Sequence, residues 1–521
     1  MNNNASVLRL NQSAFIRYLT IPAVLLLNAL TVGFAIYLFT ISNNIYTVSI
    51  AVVFAFLSGI STIFNLQAAI AYYDSYSYEQ KFKKMRLKFG KLSRYPTVAV
   101  VVPSYNEDLR VVKTAMLKLK QAEYDRKKVN FYLLDDSTNS EISADLSAFA
   151  KKNGVTYVHR EQRHAFKAGA MNNFLAMKTG EEFIAVFDAD EYLIKKRFLV
   201  DLLPFFDDRK VAYVQTEKTY QRGSFFSDSV TLFNGFFFNF IQPSRASRNT
   251  QTFAGSCGIL RRSAVEEIGG FPEYIVEDTF LSFDTRMKDY KGIYIPRTYA
   301  LGRPINKFTA FARQQWRYNY GSTQFLRHYL KESKKSKMKP MEKLDYFSLG
   351  FGLNYLSVIL ILFSVLSILV VLMNAPWTSS SLSHLLYPSY IEADIEYFSI
   401  LALVVSFVAP LLVSRIYFGS FKYGIMIFFL NFGLAFIRAR AGVAAVLGMD
   451  PKFGWVKGDT KGKGMRFIAA LRNSLAEMVF SVGMLGLGVL SLAANNFSGG
   501  IWLLWYCMLY GSTFFFFYRY G

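Results

Sequence analysis

Between Arg17 and Asp74 the chain carries no charged side chain, a run of 56 positions. A helix needs about 20 apolar residues to cross a bilayer, so this run is read as two spans. They cover 18–40 and 46–71 and turn at Ser42-Asn43-Asn44. Further uncharged runs at 346–391, 397–414 and 478–518 place spans near 347–373 and 397–414, and a pair near 475–493 and 501–518. The start lacks a short apolar region with a cleavage site, so the first segment reads as a retained anchor. Apolar residues make up 52% and charged residues only 18%, which excludes a disordered chain and argues against a soluble single-domain protein. The chain reads as a polytopic membrane protein.

Charge orients it. The loops 41–45, 374–396 and 494–500 contain no lysine or arginine. The opposite side carries Lys81, Lys83, Lys84, Arg86, Lys88, Lys91 and Arg94 after the second span, and Lys331, Lys334, Lys335, Lys337, Lys339 and Lys343 before the third. The positive-inside rule then puts the large central segment and both termini in the cytoplasm, with the spans in the cell (plasma) membrane. Basic clusters at membrane boundaries suit anionic lipid headgroups. The net charge of +22 is split around those boundaries rather than gathered on one face, which argues against a nucleic-acid partner. Two cysteines and four histidines offer no disulfide framework and no zinc spacing. The segment 421–447 has an uncharged core of 15 residues, Tyr423–Ile437, about 22 Å of helix against about 30 Å of hydrocarbon. It reads as a helix in the inner interface, leaving six spans.

The central block, about 90–330, alternates strands and helices. Apolar runs at 97–102, 131–134 and 183–187 read as strands, and 108–121 and 141–153 as helices, which predicts a mostly parallel sheet with ligands beyond its carboxyl edge. All three strands run into polar residues: Ser104-Tyr105-Asn106-Glu107-Asp108, Asp135-Asp136-Ser137 and Asp188-Ala189-Asp190-Glu191. In an extended segment Asp188 and Asp190 point the same way, so one hard cation, Mg²⁺ or Mn²⁺, could engage both. A solvated acidic turn is the commoner meaning of such a string alone. Three acid-tipped strands on one edge weaken that reading.

With these strings in view, the chain resembles the membrane-embedded processive glycosyltransferases of family 2, which include cellulose, chitin and hyaluronan synthases. The matching strings stand in the family's order: VVPSYNED at 101–108, DD at 135–136, KAGAMN at 167–172, DAD at 188–190, GILRR at 258–262, VED at 276–278 and QQWRY at 314–318. The resemblance implies an α/β fold plus an α-helical membrane domain: a GT-A-type cytosolic glycosyltransferase domain with six transmembrane helices and interfacial helices. Two N-terminal spans would fill 1–75, the catalytic domain 76–303 and interfacial helices with QQWRY 304–345. Spans three and four would fill 346–420, an interfacial helix and gating loop 421–466, and spans five and six 467–521.

The resemblance also implies roles. Tyr105 and Glu107 would meet the uridine and ribose, Asp135 the base, and Lys167 the donor. Asp188 and Asp190 would hold the metal and diphosphate, and Asp278 would be the general base. Gln314 and Arg317 would hold the diphosphate and the acceptor end. Cys257, within Phe253–Gly258, and the rings of Trp316 and Tyr318 would line the acceptor. The family motif ends in tryptophan where this chain has Tyr318, and its gating loop is matched only approximately at 453–462. The implied activity is inverting, metal-dependent transfer from a nucleotide sugar, a UDP-sugar, to a growing β-linked polysaccharide that is then extruded. Two rivals remain: transfer of one sugar to a lipid, and a non-catalytic receptor or transporter.

Overall fold

The computed structural model describes residues 45–89, 94–373, 419–450 and 467–521, with isolated positions at 92, 415 and between 22 and 40. The expected span at 397–414, the outer loop at 374–396 and most of the gating loop lie outside the described residues, as does much of the first span.

The β-branched run Val98–Val102 builds β1 (Val98–Ser104) at the centre of an eight-stranded sheet. With it lie β2 (Val129–Asp135), β3 (Thr156–His159), β4 (Phe183–Val186), β5 (Tyr192–Leu193), β6 (Val211–Tyr220), β7 (Gly258–Arg261) and β8 (Lys291–Gly302). The spatial order is β3-β2-β1-β4-β7-β6-β8-β5. The first four strands in that order are parallel, while β7 runs antiparallel to both β4 and β6. The sheet is therefore mixed, where the sequence predicts a mostly parallel one.

Successive side chains of a strand face opposite ways. Val98, Val100 and Val102 accordingly enter one apolar cluster with Val112, Met116, Tyr78 and Phe82. Ala99 and Val101 enter another with Met171, Phe174 and Phe253. Each buried valine of this kind contributes about 1.5–3 kcal/mol. The helices α2 (Leu109–Leu119), α3 (Ser140–Lys152) and α4 (Phe166–Ala176) supply the facing residues, and the first two match the sequence reading to within two residues.

Tyr78 and Phe82 belong to α1 (Ile45–Phe89), a single helix that runs straight through the expected domain boundary at 75. Its end is tied to the sheet: Tyr78 donates to the Tyr294 carbonyl at 2.7 Å, and Arg297 pairs with Glu79. After α5 (Phe225–Phe236) and α6 (Glu277–Met287), the long α7 (Phe308–Glu332) carries QQWRY, and α8 (Pro340–Met373) follows. Then come α9 (Phe421–Gly433), α10 (Ala435–Val446), α11 (Leu475–Ala493) and α12 (Phe497–Tyr520).

Among the described residues three helical stretches are long and apolar enough to cross a membrane: Phe421–Val446, Leu475–Ala493 and Gly499–Tyr520. Pro340–Gly352 with Leu356–Leu366 makes a fourth if the 59° bend between them lies within one span. In the region expected to be the second span, the apolar part of α1 is the shorter stretch Ala51–Ile60. The stretch Phe421–Val446, which the sequence reading puts in the interface, thus has the length and hydropathy of a crossing helix.

Candidate active site

Parallel pairing brings the ends of β1, β2 and β4 to one edge. Ser104 is in register with Asp135, and Val101 with Val186. The strings at 104–108, 135–137 and 188–191 therefore converge. One detail departs from the sequence reading. The strand expected to run to Phe187 stops at Val186, and Asp188–Glu191 is a turn closed by Glu191 N–H donating to the Asp188 carbonyl at 3.0 Å. The same-face argument for an extended Asp188 and Asp190 does not apply. The two carboxylates have different surroundings.

Asp188 is the hub. Lys167 donates to its Oδ1 at 2.5 Å and to the Gly255 carbonyl at 2.8 Å. Lys218 reaches its Oδ2 at 3.1 Å, and Ser256 Oγ lies 2.8 Å from that same oxygen. Burial works against the charge on Asp188, but the ammonium groups of Lys167 and Lys218 overcome it and hold the carboxyl below its usual range. Asp190 has no hydrogen-bond donor among the described residues. Burial, then the negative charges of Glu191 and Asp188, push its carboxyl up to about 7. Glu107 is raised as well, first by desolvation, against the pull of Arg303.

Asp278 stands in the first turn of α6, beside Glu277. Its Oδ1 accepts from the Thr279 N–H at 2.7 Å. Both carboxyls are raised by burial, and Asp278 raises Glu277 further, while Thr279, Lys167 and Lys218 restrain Asp278. Gly255 lies between this group and the Asp188 hub. A β-carbon there would stand 3.2 Å from Asp278 Oδ2 and 3.8 Å from Lys167 Nζ, and its φ of +80° favours glycine.

The QQWRY helix is pressed onto the start of α6 at Gly321, where a β-carbon would come within 2.6 Å of Val276. Around a helix, Gln314, Arg317 and Tyr318 share one face by their three- and four-residue spacing, whereas Trp316 lies about 200° from Tyr318. The structure follows this rule. Tyr318 is 37% exposed, and Trp316, at 3%, is packed in an apolar cluster with Phe308, Phe311, Leu430 and Ile437. Gln315 is buried beneath, accepting from Arg438 at 2.6 Å, and Gln314 accepts from Asn234 at 3.4 Å.

Other predicted residues are placed as follows. Tyr105 is exposed at the cleft mouth with the Arg163 guanidinium 3.6 Å from its ring centre, and Arg163 lies 3.9 Å from Asp136. Asp135 is fully buried, and its carboxylate accepts from Ser137, Ser143 and Tyr157. Cys257 is also buried, its thiol raised by burial, and its carbonyl accepts from Thr216 at 2.6 Å. Asp135 and Cys257 thus brace the site from behind, and Trp316 braces α7.

Sequence reasoning missed Arg163 and Lys218, and it gave Glu191, Ser256 and Glu277 no role of their own beyond their places in the strings at 188–191, 253–258 and 276–278. Lys218 had a signal: it lies with Glu217 in the otherwise uncharged strand Val211–Tyr220, where an ionised side chain needs a partner.

Residues 99–269 match the model of glycosyl transferase family 2. They form a family 2 glycosyl transferase domain. The chain is also similar to curated proteins. Over 240 residues the chain is 29% identical to the UDP-forming cellulose synthase catalytic subunit of Pseudomonas fluorescens, covering 45% of this chain and 32% of that one. It is 30% identical over 241 residues to cellulose synthase 2 of Novacetimonas hansenii, covering 45% and 15%. The chain thus matches about a third or less of the length of these relatives. Among solved structures, a mannosyltransferase of Pyrobaculum calidifontis in complex with GDP-Man and Mn²⁺ superposes with a TM-score of 0.46 at 17% identity, covering 70% of this chain and 98% of that one. The sheet of the transferase domain is mixed.

Does this set of groups fit a divalent cation? Carboxylate oxygens are the ligands Mg²⁺ and Mn²⁺ take. The acids Glu107, Asp188, Asp190, Glu191, Glu277 and Asp278 outnumber the ammonium groups of Lys167 and Lys218 and the guanidinium of Arg303, and Asp190 has no donor of its own. The chemistry fits. Among the described residues no three of His, Cys, Asp and Glu are grouped as a metal-ligand set, so the protein oxygens offered are few.

Proposed function

We propose that this chain is an inverting glycosyltransferase that builds a β-linked polysaccharide from a nucleotide sugar, a UDP-sugar, and passes it across the cell membrane through its own helices. The observation that carries the reading is the junction at Gly255. There a donor-side carboxylate, Asp188, and an acceptor-side carboxylate, Asp278, flank one glycine and share the influence of Lys167.

In this reading Tyr105 and Arg163 receive the base and Glu107 the ribose, while Asp135 holds the β2 end in shape. Lys167 turns from Asp188 toward the donor diphosphate. A divalent cation, when bound, would be held by Asp190 and Asp188 and would supply positive charge to the departing diphosphate. Asp278 takes the proton of the acceptor hydroxyl as that oxygen attacks the anomeric carbon, because a sugar hydroxyl is a poor nucleophile. The bond to the nucleoside diphosphate breaks as the new glycosidic bond forms, and a single displacement inverts an α-linked donor to a β-linked product. Arg317 and Gln314 stabilise the leaving diphosphate, and Tyr318 offers a stacking face to the acceptor sugar. The basic clusters that flank the apolar segments keep the domain cytoplasmic in this reading.

The test is direct. Protein purified in detergent is given Mg²⁺ or Mn²⁺ and a panel of labelled UDP- and GDP-sugars, and the product is sized and digested with linkage-specific hydrolases. A long carbohydrate supports the reading. A second reading, one sugar added to a lipid, is favoured by an apolar groove lined by Phe225, Ile425, Met426, Phe429 and Phe515, with Lys422 at its rim. An organic-soluble product bearing one sugar would establish that reading instead.

A further inference from the structure

Lys218 lies beneath the Asp188 turn with its side chain only 15% exposed. Its ammonium lies 3.1 Å from Asp188 Oδ2 and 3.1 Å from Glu191 Oε1, contacts Ser256 Oγ, and is 3.5 Å from the Ala254 carbonyl. Ser256 Oγ in turn is 2.8 Å from both of those carboxylate oxygens. An ammonium has three protons. These neighbours use all of them, so Lys218 is not free to leave for a substrate as Lys167 is, whose two partners are Asp188 Oδ1 and one carbonyl. It bridges two carboxylates of the turn, the place a hard cation would otherwise take.

We propose that Lys218 is a positioning residue that acts as a built-in cation of the donor site and so sets how the site uses a divalent metal. By holding Asp188 Oδ2 and Glu191 Oε1, it withholds both oxygens from the metal. The metal's protein contact then rests chiefly on Asp190, which has no competing donor among the described residues. A metal held by few protein oxygens leaves more of its coordination to the diphosphate, so metal and nucleotide bind together rather than one after the other. Lys218 also anchors the turn when no metal is bound, so nucleoside diphosphate binding persists in part in chelator. The inference rests on the reading of this cleft as a nucleotide-sugar site.

The experiment compares wild type with Lys218→Gln and Lys218→Arg as full-length protein in detergent. Mn²⁺ binding without nucleotide is followed by electron paramagnetic resonance, and UDP binding by calorimetry with Mn²⁺ and with chelator. Removing the ammonium should tighten Mn²⁺ binding about tenfold, the scale of one charge-assisted hydrogen bond no longer competing for a carboxylate. Binding of UDP in chelator should fall by a similar factor. A gain of metal affinity cannot come from misfolding, which would only lose it. Lys218→Arg keeps a cation in place and should hold Mn²⁺ affinity near that of wild type, so a tenfold gain there would overturn the proposal. Unchanged or weaker Mn²⁺ binding in Lys218→Gln, with UDP still binding the wild type, would overturn this inference alone. Failure of the wild type to bind UDP with Mn²⁺ would overturn the site reading along with it.

Discussion

Asp278 Oδ2 stands 3.2 Å from the point where a β-carbon on Gly255 would be, and Gly255 takes a φ of +80°. Adding a methyl there costs twice, once in backbone strain of about 1 kcal/mol and once in displacing a carboxylate. Gly255→Ala should therefore reduce turnover at least tenfold while UDP affinity changes less than threefold, on the scale of a 1.4 kcal/mol effect. Initial rates and calorimetry on the same preparation check this. An unchanged rate would mean Asp278 need not stand where it does.

Asp278→Asn keeps the shape of that side chain and removes its ability to take a proton. Turnover should fall by about 10²–10⁴, the usual worth of a general base, with UDP binding retained. Substantial residual transfer would remove Asp278 from the role of base.

The Asp190 carboxyl, pushed up to about 7 by burial and then by Glu191 and Asp188, makes stability depend on pH. Its ordinary value is about 3.9, so between pH 4 and 7, roughly, the unfolded chain has lost this proton and the folded chain keeps it. The folded state binds more protons there, so this group's contribution to stability falls as pH rises through that window. Asp190→Asn removes the dependence. Melting in chelator should show the variant gaining on wild type from about pH 4 to about pH 7, the window just given. A gap that stays constant or narrows would contradict the raised carboxyl.

Trp316 and Tyr318 sit two residues apart and should fail in different ways. Trp316→Ala opens a hole in the cluster under α7 and should cost about 3–5 kcal/mol of stability. Tyr318→Ala, at a half-exposed ring, should leave the melting temperature within a few degrees, on a cost of about 1 kcal/mol, yet lower transfer. If Trp316→Ala proved as stable as wild type, the packing role would be wrong.

The charge distribution makes a topological prediction. In a Cys507→Ser background, Ser379→Cys should react with an impermeant thiol reagent applied outside intact cells, and Thr460→Cys should not. Labelling at 460 would mean that Phe421–Val446, long and apolar enough to do so, crosses the membrane.

Much of this protein was legible before any coordinates. The uncharged run at 478–518 pointed to the apolar helices Leu475–Ala493 and Gly499–Tyr520, because burying a charge in hydrocarbon is costly wherever the chain goes. The β-branched run Val98–Val102 declared the central strand, since such residues suit a strand buried on both faces. The order of short acid-tipped strings pointed to the family and to Asp188, Asp190 and Asp278.

What tertiary structure alone decided is the company those residues keep. Lys218 meets Asp188 across 30 positions of chain and Ser256 across 38, through the pairing of β4, β7 and β6. A strand ending one residue early turned the extended spacing expected of Asp188 and Asp190 into a turn. Helical phase separates Trp316 from Tyr318, but which of the two faces the cleft followed only from how α7 lies against α6 at Gly321. Local pattern is written in neighbouring residues, and a strand, a span or a motif can be read from it. A charge's partners are set by long-range packing, and no short window of sequence contains them.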